Sequence, residues 1–194
     1  MICPFCIKGR EYDHYRALYA LVKGLLPKEE GNNIFADGYF NFREFDSLRT
    51  NFYYCYDKTE VEDKKNVTVL SFANECSDIA DKAFHGVFLH FVNESRSKYD
   101  IKDRFFHYWR LVSRGGLMVI MAVVDIRGMA TQDQHTLSLP TDYLSFLPDD
   151  ARIEYLALLK RDMGTFSGKV GDAVNHGCLI YALKREESFL PGEQ

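Results

Sequence analysis

The sequence has no apolar run long enough to cross a bilayer and no excess of charge of one sign. A spanning helix needs about 18 consecutive apolar residues, and the N-terminus also lacks the basic, apolar and small-residue order of a secretory signal. The 24 basic and 28 acidic residues are interspersed, so no basic stripe follows the chain as nucleic-acid binding requires. These absences predict a cytoplasmic protein with neither a membrane nor a nucleic-acid partner.

Cysteine is also sparse, and the odd count of five argues against a disulfide framework. Cys3 and Cys6 have the spacing of a thiol-disulfide motif and resemble glutaredoxin over four positions. That motif follows a strand and opens a helix, whereas only two residues come before Cys3. A zinc site with His14 as third ligand lacks a fourth ligand. We expect an N-terminal strap with two buried, reduced thiols.

The length of 194 residues suits one α/β domain with a sheet buried between two helical layers. Within this single domain, 1–194, we assign residues 1–31 to an N-terminal strap and covering helix. Residues 32–184 form the core, and residues 185–194 a tail. No repeat or low-complexity linker indicates a second domain.

Hydrophobic periodicity predicts four helices and six strands. The predicted helices are Glu11–Leu26, Tyr39–Arg49, Tyr99–Val112 and Asp149–Leu159. The predicted strands are Ile34–Ala36, Phe52–Tyr56, Val67–Phe72, Gly86–Val92, Leu117–Val124 and Gly177–Leu183, with a turn at Arg114–Gly116. The unbroken apolar run Leu117–Val124 is typical of a central strand that is covered on both faces.

Alternating strands and helices predict a three-layer, Rossmann-like sandwich with a mostly parallel sheet. Ligands of such sheets bind beyond the carboxyl ends of the strands, where the strand order reverses. Asp37 with Gly38 can supply a carboxylate and space for a ligand amine, although Gly38 also suits a plain turn. Asp57, after the second strand, can accept two hydrogen bonds from a diol.

One segment carries a family resemblance, in which an apolar strand leads to an aromatic-rich helix, a Gly-Gly turn and a strand that ends in Asp. The residues that carry it are Tyr99, Asp103, Trp109, Gly115, Gly116 and Asp125. This segment resembles class I S-adenosylmethionine-dependent methyltransferases, and most closely their small-molecule O-methyltransferase branch. The resemblance extends over roughly residues 32–183 and implies S-adenosylmethionine as cofactor and a small molecule as substrate.

The resemblance also implies roles for residues at the strand ends. Asp57 matches the acid that binds the ribose hydroxyls, and Ala73 and Asn74 match positions near the adenine. Apart from the resemblance, His90 and Asp125 are expected at neighbouring strand ends, where they can form a base with its orienting acid for a substrate hydroxyl, or two ligands of a divalent metal ion. A histidine on an apolar strand is also compatible with a purely structural role.

The glycine turn of the family is reduced here to Gly38, which is followed by Tyr39, Phe40 and Phe42. Aromatic side chains stand where small residues normally let the backbone approach the cofactor. The alternative hypothesis is therefore a catalytically inactive protein of the same fold that binds protein partners or another nucleotide-like ligand. The crowded aromatics Phe105 to Trp109 cannot all face one core, which suggests a homodimer contact or an apolar substrate pocket.

Overall fold

The computed structural model of the protein describes residues 19–37, 48–55, 66–70, 79–91, 98–125, 140–145, 147–160 and 176–187. Its strands are β1 (Asn33–Asp37), β2 (Asn51–Cys55), β3 (Val67–Leu70), β4 (Phe84–Phe91), β5 (Val112–Asp125), β6 (Ala151–Lys160) and β7 (His176–Arg185). Helix α1 is described over residues 19–25, α2 is Lys98–Trp109 and α3 is Pro140–Leu144. No helix within these ranges is long and apolar enough to span a membrane.

The seven strands form one sheet in the order β3-β2-β1-β4-β5-β7-β6. The pairs from β3 to β5 are parallel, whereas β7 runs antiparallel to both β5 and β6. The chain moves outward from β1 to β3 and then crosses to β4 on the other side of β1. The predicted three-layer, mostly parallel α/β sandwich is therefore confirmed.

Strand β5 divides the core into two apolar clusters, one on each face of the sheet. Met118, Ile120 and Ala122 pack with α2 and α3, and the alternate residues, Leu117 and Val119 among them, pack on the face that α1 covers. Side chains of a strand alternate between faces, so both sets require a cover of helices. The covering helix α1 contributes Tyr19 and Val22 to its cluster, and Leu26, directly after the helix, packs there too.

The predicted helix Asp149–Leu159 is wrong, because this segment is the strand β6, which pairs along its length with β7. Its Ala, Leu, Glu and Lys content favours a helix, but a ten-residue strand partner outweighs such weak propensities. Asp150, expected as a helix cap, instead lies in the turn before β6. The other described strands agree with prediction to within a few residues, and β7 extends to Arg185, the first residue of the predicted tail.

Asp150 ties the end of α2 to the last two strands. Its carboxylate accepts hydrogen bonds from Trp109 Nε1 at 3.0 Å and from Arg185 Nε at 2.7 Å. Arg185 also donates to the carbonyl oxygens of Trp109 and Val112 and lies over the indole ring, 5.3 Å from its centroid. Burial alone raises the pKa of Asp150, but the hydrogen bonds from Arg185 and Trp109 offset this, and the pKa lies below its usual value.

The predicted turn Arg114–Gly116 is also wrong, since these residues lie inside β5 as an irregularity of its pairing with β4. The register passes from Phe84 opposite Val112 to Gly86 opposite Leu117, so β5 carries extra residues at this point. Gly115 has φ +67°, and a Cβ on Gly116 would lie 2.8 Å from the carbonyl oxygen of Ser113. Both glycines are therefore required by the bulge.

Two of the four predicted helices lie partly or almost entirely outside the described residues. Helix α1 lies within the predicted Glu11–Leu26, and the predicted Tyr39–Arg49 lies almost entirely outside the described residues. The predicted Tyr99–Val112 is confirmed as α2, with Val112 already belonging to β5.

We predict that Gly116→Ala lowers the free energy of unfolding by about 2 kcal/mol, because the added methyl group meets fixed backbone. Gly24→Ala is the matched control. A Cβ at Gly24 meets no atom within 4 Å, and alanine in an exposed helix position stabilises by about 0.5–1 kcal/mol. Urea denaturation of the two variants measures both effects, and equal stabilities would contradict the bulge as described.

We also predict a pH dependence of stability that arises from His85. Its Nδ1 accepts a hydrogen bond from the backbone N–H of Asn33 at 2.9 Å, which requires an unprotonated nitrogen. Burial and then the charge of Lys28 lower the pKa of His85 below 6.5. Just below that pH the unfolded chain binds more protons than the folded one, so the free energy of unfolding falls as the pH falls.

Urea denaturation between about pH 5 and about pH 7.5 tests this expectation. Glutamine keeps an acceptor oxygen but does not titrate, so His85→Gln should have a shallower pH dependence than the parent protein. Identical pH dependences in the two proteins would show that His85 does not contribute.

Candidate functional site

The carboxyl ends of the parallel strands form one edge of the sheet. Asp37, the last residue of β1, is in register with Cys55 at the end of β2 and with Leu89 of β4. The strand order reverses at the β1–β4 boundary, which in open α/β sheets is where ligands bind. Asp37 therefore lies beside the crevice that this topology creates.

Helix α2 supplies two side chains that hold Asp37. Arg104 and Tyr108 are four residues apart and so lie on the same face of the helix. Arg104 Nη2 donates to Asp37 Oδ2 at 2.7 Å, and the Tyr108 hydroxyl donates to the same oxygen at 2.5 Å. The Asp37 and Arg104 side chains are 9% and 19% exposed, which makes this a largely buried ion pair.

The Tyr108 hydroxyl acts as a fixed donor in this cluster. Burial raises its pKa well above the usual value, and the nearby charge of Asp37 and the hydrogen bond to it raise it further. The phenol therefore keeps its proton at any physiological pH. The Arg104 guanidinium also lies 5.7 Å from the centroid of the Tyr108 ring, so the two α2 side chains support one another.

The second carboxylate oxygen of Asp37, Oδ1, differs from Oδ2 in its hydrogen bonds. Both hydrogen bonds from α2 reach Oδ2, and no described residue donates to Oδ1. An ionised carboxylate has room for further donors on each oxygen. Oδ1 is thus an acceptor that no described donor occupies, on a carboxylate paired with the Arg104 guanidinium.

The pairing of β4 with β5 places His90 and Asp125, the two residues that we predicted as catalytic, at different positions along the strands. His90 is opposite Met121 of β5, four residues before Asp125, which corresponds to about 13 Å along a strand. Asp125 is instead opposite His176, the first residue of the antiparallel strand β7. Backbone pairing therefore associates Asp125 with His176 and not with His90.

The remaining predicted binding residues, Gly38, Asp57, Ala73 and Asn74, lie outside the described residues, as do Cys3 and Cys6. Their predicted roles stay predictions. Within the described ranges, no group of three or more His, Cys, Asp or Glu side chains is arranged to hold a metal ion.

Sequence reasoning missed Arg104, Tyr108 and His176. The spacing of Arg104 and Tyr108 on a predicted helix was visible, but nothing in the sequence indicated which strand end this face would meet. His176 escaped notice because it precedes the predicted strand Gly177–Leu183, and the sequence did not indicate that this strand runs antiparallel. Such a strand begins, rather than ends, at the edge where the parallel strands end.

We predict that the hydrogen bond from Tyr108 to Asp37 stabilises the fold. Tyr108→Phe should lower the free energy of unfolding by about 1.5–3 kcal/mol, the range for hydrogen bonds to charged groups. In an Asp37→Asn background the same substitution should cost clearly less, because the charged acceptor is gone. A double-mutant cycle by urea denaturation measures this coupling, and strictly additive effects would contradict it.

Comparisons with known proteins extend the description of the fold. No protein-family model and no curated protein matches this sequence. Geranyl diphosphate C-methyltransferase from Streptomyces coelicolor A3(2), solved with Mg²⁺, geranyl diphosphate and S-adenosyl-L-homocysteine, is similar in structure with a TM-score of 0.59. It is 12% identical, over 90% of this chain and 80% of that chain.

Two further solved structures are similar to the same extent. A putative sarcosine dimethylglycine methyltransferase from Galdieria sulphuraria has a TM-score of 0.60 at 11% identity, over 91% of this chain and 86% of that chain. The [4+2]-cyclase SpnF has a TM-score of 0.61 at 12% identity, over 95% and 87%. At such identities the likeness concerns the fold alone. The chain has the fold of class I S-adenosylmethionine-dependent methyltransferases.

Proposed function

We propose that this protein binds S-adenosylmethionine at the carboxyl edge of its sheet and transfers the methyl group to a small molecule. The observation that carries the proposal is the Asp37–Arg104 pair, a carboxylate and a guanidinium 2.7 Å apart beside the β1–β4 boundary. The methyltransferases among the similar structures support the same activity, because two of them are named for small-molecule substrates.

The described residues fit the amino-acid end of this cofactor. That end carries an ammonium group and a carboxylate, and thus needs an acceptor and a cationic donor close together. Asp37 Oδ1 offers the acceptor, and Arg104 offers a planar set of donors suited to a carboxylate. The bond from Tyr108 holds Asp37 in place while Oδ1 stays available to the ligand.

The cofactor supplies an activated methyl group, so the task of the protein is chiefly to bind and orient the reactants. Holding donor and acceptor in line accounts for much of the acceleration in such two-reactant steps. Asp57, Ala73 and Asn74 are the residues that we propose for the ribose and adenine ends. Gly38 would give the chain the space to approach the ligand.

A hydroxyl acceptor also has to lose a proton. We propose that Asp125 acts in this step together with His176, which is opposite it in register. In this proposal His176 takes or relays the proton. His90, which is opposite Met121 and so four residues from Asp125 along the pairing, stays the alternative group that we propose for this step.

A second candidate is a protein of the same fold that does not transfer methyl groups. The observation in its favour is that Asp37 is already paired with Arg104, so a ligand ammonium group has to share this carboxylate. The [4+2]-cyclase among the similar structures is named for a different reaction. One fold commonly hosts several functions, so the ligand itself must decide between the candidates.

Calorimetric titration with S-adenosylmethionine and S-adenosylhomocysteine, with and without Mg²⁺, tests the proposal. We expect a micromolar Kd for the parent protein, and a Kd raised about 10- to 100-fold in Asp37→Asn, which removes one charged hydrogen-bond partner. Asp57→Ala should weaken binding similarly. The matched control is Asp103→Asn on the exposed side of α2, which makes the same charge change and should bind as the parent does.

Three outcomes separate the candidates. Binding that is lost in Asp37→Asn but kept in Asp103→Asn supports the methyltransferase. Binding that is indifferent to Asp37 would contradict its assigned role. The absence of heat at millimolar ligand would favour the protein without methyltransferase activity.

A further inference from the structure

Among the described residues, strand β6 is the last strand on one side of the sheet, and its described partner is β7. Three of its apolar side chains are among the most exposed large apolar residues of the described chain: Ile153 at 43%, Leu156 at 49% and Leu158 at 50%. Native proteins usually shorten, charge or cover such an edge, because its unpaired N–H and C=O groups attract another strand. A ten-residue edge with exposed leucines needs an explanation.

The three exposed side chains lie on the same face of the sheet. Their partners in β7 are Leu183, Tyr181 and Leu179, which all belong to the core cluster on the side of α2 and α3. Directly opposite residues of an antiparallel pair share a face. The apolar layer under α2 and α3 thus continues to the sheet edge, where Leu156 and Leu158 remain half exposed.

We propose that β6 pairs with β6 of a second copy of this chain, antiparallel about a two-fold axis through Ala157. The two seven-stranded sheets then join into one continuous sheet. Such an interface is isologous, since the same surface of both copies meets itself. The apolar row of each copy covers that of the other on the same face.

The sequence of β6 selects this register. When Ala157 is opposite Ala157, Leu156 of each copy is opposite Leu158 of the other, so four half-exposed leucines meet. A shift of the axis to Leu156 places Leu158 opposite Glu154, and a shift to Leu158 places Leu156 opposite Lys160. Both shifts bring leucine next to a charged residue.

The positions of the charged residues in β6 favour the same register. Glu154 and Lys160 are each three residues from Ala157, so each is opposite the other across the axis, and this happens twice in the dimer. Opposite charges at directly paired positions stabilise a sheet, whereas like charges destabilise it. The irregularity between Ile153 and Tyr155 falls at Glu154, so the regular pairing of β6 runs from Tyr155 to Lys160 and Glu154 lies at its end.

Analytical ultracentrifugation of the full chain tests the dimer. We expect the parent protein to sediment at twice the chain mass of 22.5 kDa. Leu156→Glu should raise the dissociation constant by about 100-fold or more, because each dimer receives the buried charge twice. The control is Phe106→Glu, which places the same charge at an apolar α2 residue that is 39% exposed. This variant should remain a dimer.

Cross-linking with a short bismaleimide tests the register. Ala157→Cys places two cysteines opposite each other and should give a cross-linked dimer. In Ile153→Cys the two cysteines stand eight positions apart along the pairing, about 26 Å, and should not react together. The parent protein, with its five cysteines, gives the background in the same gel.

The sedimentation and cross-linking results together decide whether the proposed dimer forms. A dimer that is lost in Leu156→Glu, kept in Phe106→Glu and cross-linked through Ala157→Cys supports the proposal. A parent protein that stays monomeric at about 100 μM would overturn it. A dimer that survives Leu156→Glu, or that cross-links through Ile153→Cys instead, would overturn the assignment to this edge and this register.

Discussion

The two-sided burial of β5 is the constraint on which the rest of this structure depends. An apolar strand whose side chains point to both faces can exist in water only if helices cover both sides of the sheet. Helix α1 meets this need on one face, and α2 with α3 meets it on the other. Because β5 also has neighbours on both edges, it fixes the positions of β4 and β7 and hence the site at the carboxyl edge.

Helix α2 connects this core to the site through two carboxylates. Asp150 holds its C-terminal end through Trp109, with Arg185 bonded to both the acid and the helix carbonyl. Asp37 holds its middle through Arg104 and Tyr108. A helix fixed at two points cannot slide or rotate easily, so the guanidinium of Arg104 keeps a defined position beside the end of β1. The ion pair that fixes α2 is thus the same one that we propose for ligand binding.

The sequence was informative wherever a local pattern coincided with burial. The apolar run of β5 and the amphipathic pattern of α2 were both recognisable, and so was Asp37 as a strand-end acid. The sequence failed at β6, where Ala, Leu and Glu favour a helix and only the distant β7 makes the segment a strand. It failed for the same reason at Arg104 and His176, since both owe their positions to pairing partners far along the chain.

The position of β7 between β5 and β6 has a consequence for how the chain reaches its folded state. Strand β6 comes before β7 in the sequence, yet among the described strands its partner is β7. During synthesis β5 therefore has an open edge, and β6 has no sheet to join, until residues 176–185 have left the ribosome. Non-local pairings of this kind form late and leave apolar edges exposed meanwhile. The last of the seven described strands is thus the one that closes the sheet, and a ribosome that stalls before it would present the open edge of β5 and the unpaired β6 to the cell's chaperones.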